Sequence, residues 1–125
     1  MLQDILKMIS DTNRLRIVNL LKDSRLCVGE IQTLLGMTQS NTSKHLDKLK
    51  SSGLIKNQKN AQMTIYYLNK EIIDKYQFLD VLLNKDIYKE KLFLEDLEKY
   101  SKYKSSDLNC RDLQAYNFNY DKLHL

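Results

Sequence analysis

Apolar residues recur at Leu2, Ile5, Leu6 and Ile9, the i, i+3, i+4, i+7 spacing of one helix face, and predict a short helix over residues 2–10. So short a helix is marginal in water, and its apolar side needs a partner surface. Ser10 or Asp11 then offers a cap for a second helix running to about Lys22, with Leu15, Ile17, Val18 and Leu21 inward and Arg14 and Arg16 toward its polar side. Residues 28–35, VGEIQTLL, predict a third helix whose inner face is Val28, Ile31, Leu34 and Leu35. Gly36-Met37-Thr38 is a tight break, and a fourth helix follows from about Gln39 to Ser52, closed by Gly53 in the left-handed position past its end.

After Gly53 the period shortens. Residues 54–58 and 63–68 read as extended, the second rich in β-branched and aromatic side chains, with Lys59-Asn60-Ala61-Gln62 as a hairpin tip and Asn60 tolerating positive φ. Helical spacing returns over 70–84, through Ile72, Tyr76, Leu79 and Leu83, and over 86–102, through Tyr88, Leu92, Phe93, Leu97 and Tyr100. Residues 103–125 are rich in aromatics but show no period and receive no assignment. Neither a repeat nor a linker divides the chain, so 1–125 is expected to be one domain, mainly α with a small β-hairpin.

Short helix, glycine-bearing turn and second helix make a helix-turn-helix pattern. Its second helix is unusual. On a helical wheel Thr42, Leu46 and Leu49 share the inner side with His45 beside them. Ser40, Lys44, Asp47 and Ser51 lie opposite, flanked by Asn41, Ser43 and Lys48. Asn and Gln match adenine edges, Ser several bases, and Lys guanine or phosphate in a B-DNA major groove. Gln39, Ser40, Asn41, Ser43, Lys44 and Lys48 are therefore the candidate reading residues, and Lys56 and Lys59 on the hairpin the candidate backbone contacts of a wing.

Charge reinforces this picture by its placement. Lysine and arginine number 20 against 16 acids. Between residues 44 and 59 five lysines (Lys44, Lys48, Lys50, Lys56, Lys59) face one acid, Asp47, whereas 86–104 balances five against five. A clustered surplus suits phosphate. Enzyme chemistry finds no support. There is no glycine-rich phosphate loop and no His-Glu-x-x-His, and His45 and His124 are the only histidines. His45, with no partner at metal-like spacing, reads as a packing residue. A protein-docking module on the same scaffold is the rival class, but it would call for large apolar anchors outside 39–50, where Ser, Asn and Lys stand instead. No apolar run reaches the roughly 20 residues of a membrane span. MLQDILKMIS is too short and too charged for a secretory signal, and two cysteines without one point to the cytoplasm, where thiols stay free.

Residues 11–69 resemble the ArsR/SmtB family of winged-helix metalloregulatory repressors. "DTNRLRIVNLL" is similar to the opening helix, "LCVGEI" to the entry of the third, "SKHLDKLKSSGLI" to the recognition helix and its exit, and "IYYLN" to the second wing strand. The resemblance implies a homodimer joined through residues 1–10 and 70–102, bound to an inverted repeat in double-stranded DNA and released by a ligand, with no cofactor required. The sequence departs from the family at the sensor. Where arsenic and cadmium/lead sensors carry Cys-Val-Cys, this chain has Cys27-Val28-Gly29, and the helix after the wing holds Glu71, Asp74 and Asp80 but no histidine for a zinc-type site.

Cys27 and Cys110 remain. Soft thiolates suit As(III), Sb(III) or another thiophilic ion, with a third ligand from solvent or a small thiol. A thiol redox or persulfide switch is a second reading. In a third, Cys27 is a small buried apolar residue and Cys110 an incidental thiol. Whether the two meet within a chain or across a dimer is left open by the sequence.

Overall fold

A computed structural model describes all 125 residues. Helices α1 (Leu2–Ile9) and α2 (Thr12–Leu21) form where the apolar spacing places them. Asp11 caps α2 by accepting from the Arg14 backbone N–H at 3.0 Å, while the Arg14 guanidinium turns back to the Met8 carbonyl at 2.9 Å and satisfies the end of α1. Helix α3 (Val28–Leu35) ends at Gly36, whose φ of +66° is the left-handed conformation that glycine adopts without steric cost. Helix α4 (Gln39–Ser51) follows, capped by the Thr38 hydroxyl, which accepts from the Asn41 N–H at 3.1 Å. Gly53, at φ +87°, turns the chain out of it as expected.

Strands β2 (Ile55–Asn60) and β3 (Met63–Leu68) pair antiparallel, from Ile55 opposite Leu68 to Asn60 opposite Met63. The loop is therefore only Ala61-Gln62, and positive φ falls on Ala61, not on Asn60. Pairing carries Lys59 and Asn60 into the strand and leaves the turn to the next residue. A two-residue strand, β1 (Leu26–Cys27), joins the other edge of β3 to give the order β1-β3-β2. Two residues carry no alternation, so no pattern in the sequence announced it.

The segment expected as one helix over 70–84 is two, α5 (Lys70–Lys75) and α6 (Gln77–Asn84), broken at Tyr76 with φ −113° and ψ 90°. The inward residues are nonetheless those expected, with Ile72, Leu79 and Leu83 buried. A 3₁₀ turn (Asp86–Lys89) precedes α7 (Lys91–Lys104), where Phe93, Asp96 and Tyr103 are the buried residues. Tyr88 and Leu92 are exposed instead. Beyond it the unassigned tail folds into α8 (Cys110–Gln114) and a 3₁₀ turn (Tyr120–Leu123).

One continuous core joins these parts, with Ile17, Leu20, Ile31, Leu34, Leu46, Leu49 and Leu54 at its centre. Each side chain so enclosed contributes on the order of 1.5–3 kcal/mol. Arg16, expected on the polar side of α2, instead joins the interior. Its Nε and Nη2 meet the Asp96 carboxylate at 2.8 and 2.9 Å, and Nη2 also reaches the Leu35 carbonyl at 3.0 Å, so one guanidinium ties α2, α3 and α7 together. With Asp96 only 2% exposed and Arg16 14%, burial favours this pairing, because the carboxylate has almost no water to turn to.

Candidate DNA-reading face and cysteine cleft

Thr42, Leu46 and Leu49 seat α4 on the core, and Thr42 also donates its hydroxyl to the Thr38 carbonyl at 2.7 Å. That anchorage turns Gln39, Ser40, Asn41, Lys44 and Lys48 outward, all exposed, with Ser43 half-buried at the margin. Lys56 and Lys59 are exposed on β2, and none of the four lysines at 44, 48, 56 and 59 is paired with an acid. The face thus presents free cations and short hydrogen-bonding side chains on a rigid helix and a hairpin, the equipment for a groove and its flanking phosphates. His45 lies half-buried beside it. Burial depresses its pKa below the ordinary value, aided by Arg14 and Lys48 and opposed by Asp11, and its Nδ1 has no partner.

The two cysteines meet within one chain. Cys27, at the end of β1 and the N-cap of α3, is disulfide-bonded to Cys110, the first residue of α8, with Cα atoms 6.5 Å apart. The sequence reading expected free thiols, and the structure joins them. Docking of the tail onto α3 brings the sulfurs together across a separation of 83 residues, which no local pattern could reveal.

Glu30 stands beside them. Its Oε1 accepts from the Cys27 N–H at 2.9 Å and its Oε2 from the Tyr103 hydroxyl at 2.6 Å. Burial, and then Glu30, push the Tyr103 pKa well above that of a free phenol, so the O–H that α7 donates to α3 stays protonated. Ligand atoms of Cys27, Glu30 and Cys110 all lie within 4.8 Å of one another.

Two further tail features escaped the sequence reading. Asn109 caps α8, accepting from the Arg111 and Asp112 N–H groups, while Asp112 accepts in return from the Asn109 N–H at 2.8 Å. The spacing Asn-x-x-Asp was a signal available in the sequence. Next, Asn117 and Phe118 both take positive φ, 51° and 55°, reversing the chain so that the Phe118 ring lies on Gly29. A Cβ at residue 29 would stand 2.8 Å from Phe118 Cε1. Gly29, which follows Cys27-Val28 where the resemblance led one to expect a second thiol, is thus the seat of an aromatic ring.

Around these groups is a cleft of about 290 Å³ that unites the two halves of the candidate site. Cys27 of β1, Gly29 and Gln32 of α3, Gln39 and Ser43 of α4, Met63 and Thr64 of β3, and Cys110, Gln114 and Phe118 of the tail line it together. The first turn of the candidate reading helix and the disulfide are therefore two walls of one space.

Known proteins resemble this chain over part of its length. Residues 11–57 match the family model described as bacterial regulatory protein, arsR family. The arsenical resistance operon repressor of Staphylococcus xylosus is 34% identical over 86 residues, 68% of this chain and 83% of that protein. The transcriptional activator HlyU of Vibrio cholerae is 38% identical over 65 residues, 52% of this chain, and the chain spans only 60% of that relative's length. The solved structure of reduced HlyU from Vibrio cholerae N16961 superposes with a TM-score of 0.55 at 35% identity, covering 63% of this chain and 84% of that one. No helix of the present structure is long and apolar enough to cross a membrane.

Proposed function

The chain belongs to the arsR family of bacterial regulatory proteins, a family of DNA-binding transcriptional regulators rather than enzymes, and on that footing we propose that it is a cytoplasmic operator-binding repressor controlled by its Cys27–Cys110 pair. Two copies bind an inverted repeat. Leu2 and Leu6 of α1 and Phe78 and Val81 of α6 remain exposed and supply the apolar surface for that pairing. Gln39, Ser40, Asn41, Ser43 and Lys44 enter the major groove, and Lys48, Lys56 and Lys59 hold phosphates.

The observation that carries the control is the shared cleft. With the disulfide closed, α8 and Phe118 are held beside Gln39, Ser43 and the wing strand. On this reading the strapped form holds DNA weakly, and reduction frees the face. A second reading keeps a thiophilic metalloid such as As(III) as the inducer of the reduced protein, because Cys27, Cys110 and Glu30 converge. Two thiolates suit such an ion, but both Glu30 oxygens are engaged by Cys27 and Tyr103, so a third ligand would come from solvent or a small thiol.

One titration separates the two. DNA from upstream of the protein's own gene is titrated with the oxidised protein, with protein reduced by tris(2-carboxyethyl)phosphine, and with reduced protein plus arsenite. About tenfold tighter binding on reduction supports the thiol switch, and release by arsenite from the reduced form supports the metalloid reading. Equal affinity in all three removes the cysteines from control. Lys44→Ala in the same assay should weaken binding and lower the slope of log affinity against log salt by about one, as expected for a lost phosphate contact.

A further inference from the structure

We propose that the cleft beside the disulfide is a binding site for a small polar thiol carrying N–H donors, such as cysteine or a short cysteinyl peptide, and that Cys110 is the residue it modifies. The proposal rests on the thiol-switch reading and gives that switch its chemical partner. Three observations support it.

First, the cleft is lined by amide side chains, Gln32, Gln39, Gln62 and Gln114, around the two sulfurs. At about 290 Å³ it suits a small metabolite rather than a macromolecule. Second, Gln32 is 4% exposed and its Oε1 has no hydrogen-bond donor anywhere in the protein. A buried acceptor left without a donor is costly, and a ligand N–H relieves that cost. Third, the two sulfurs differ in access. Cys27 is 3% exposed, whereas Cys110 is half-buried, so Cys110 is the more open of the two residues to an incoming thiolate.

The chemistry is thiol–disulfide exchange and needs no further oxidant. The thiolate of the small thiol attacks Cys110 Sγ, a new sulfur–sulfur bond forms there, the Cys27–Cys110 bond breaks, and Cys27 leaves with the electron pair as a thiolate. That thiolate forms at the N-cap of α3, where the helix N-terminus favours negative charge. A second small thiol then attacks the sulfur of the bound one, leaving as a symmetrical disulfide and releasing Cys110 as a thiolate. While attached, the adduct fills the space bordered by Gln39 and Ser43.

The test uses the oxidised full-length chain. Opening of the disulfide is timed with glutathione and with 2-mercaptoethanol, which has no N–H groups, each rate expressed per thiolate. Intact mass and peptide mapping locate the adduct. To trap it, the Cys27→Ser variant is exposed to oxidised glutathione and, separately, to bis(2-hydroxyethyl) disulfide. Adduct on Cys110 and about tenfold preference for the glutathione reagents are expected, the size of one hydrogen bond, with Gln32→Met bringing the ratio to about one.

Equal per-thiolate rates in the wild type, or attachment to Cys27 in place of Cys110, would overturn the proposal. DNA is not part of this readout. If selectivity and the Cys110 adduct are found but phosphine reduction leaves operator affinity unchanged, the cleft assignment stands and the thiol-switch reading falls.

Discussion

Residues 11–68 and residues 103–125 are held to the same core by different means. In the first, burial is spread along continuous helices, so that Ile17, Leu20, Ile31, Leu34, Leu46, Leu49 and Leu54 enclose one another and no single contact decides the fold. In the second, α8 and the terminal 3₁₀ turn are too short to be stable alone. They stay in place through a few separate attachments: Leu113 and Leu123 in the core, the Cys27–Cys110 bond, and Phe118 on Gly29, with Tyr103 on Glu30 at the boundary. Distributed burial makes a rigid scaffold. Point attachments make a segment whose hold can be loosened at a single place, and its residues line a cleft together with Gln39 and Ser43 of α4.

The largest effect should come from removing the attachment that binds α7 to the scaffold. Asp96→Ala leaves the largely enclosed Arg16 guanidinium without its carboxylate, and a loss of up to about 3–5 kcal/mol in urea unfolding is expected. A loss below about 1 kcal/mol would mean the pair contributes no more than a surface bridge.

Reducing the disulfide should cost less, about 2–4 kcal/mol as is typical of a disulfide, and unevenly. Amide exchange should accelerate first over residues 108–123 while the amides of α3 and α4 keep their protection. Uniform acceleration along the chain would erase the contrast between the two regions.

Gly29→Ala sharpens the comparison at one contact. The new methyl must displace the Phe118 ring, an overpacking cost of about 1–3 kcal/mol, against a gain of up to about 1 kcal/mol from replacing glycine within a helix. Net destabilisation is expected in the wild-type background and net stabilisation once Phe118→Ala has removed the ring. Equal effects in both backgrounds would show that the tail does not press on α3.

The smallest effect belongs to the scaffold's own margin. Asp11→Ala should cost about 1 kcal/mol at neutral pH through the lost cap. The bond from the Arg14 N–H holds the Asp11 pKa below its ordinary 3.8. The cap's contribution is therefore complete above that value and is lost as pH falls through the depressed one, so the stabilities of variant and wild type should converge in acid.

Much of the scaffold was legible because its information is local. The spacing of Ile5, Val18, Ile31 and Leu46 with their neighbours placed α1 to α4, Gly36 and Gly53 marked two turns, and the outward polarity of 39–50 announced a face meant for something other than the core. The errors fell where long-range packing overrode local pattern. Arg16 looked like a surface residue until Asp96, 80 positions away, enclosed it. The helix expected over 70–84 broke at Tyr76, and β1 exists only because β3 lies alongside it.

At the candidate site the division is sharper still. The sequence by itself determined which residues read outward from α4, because a helix of known phase with a buried stripe has a determined opposite face. It also supplied two cysteines and the absence of a third. Only the tertiary structure decided that Cys27 meets Cys110, that Glu30 and Gln32 stand beside them, and that Gly29 is the floor under Phe118. Secondary structure is set by neighbours three or four residues away, whereas the cleft is made by segments that approach only after the tail has docked, and no short-range rule in the chain encodes that approach.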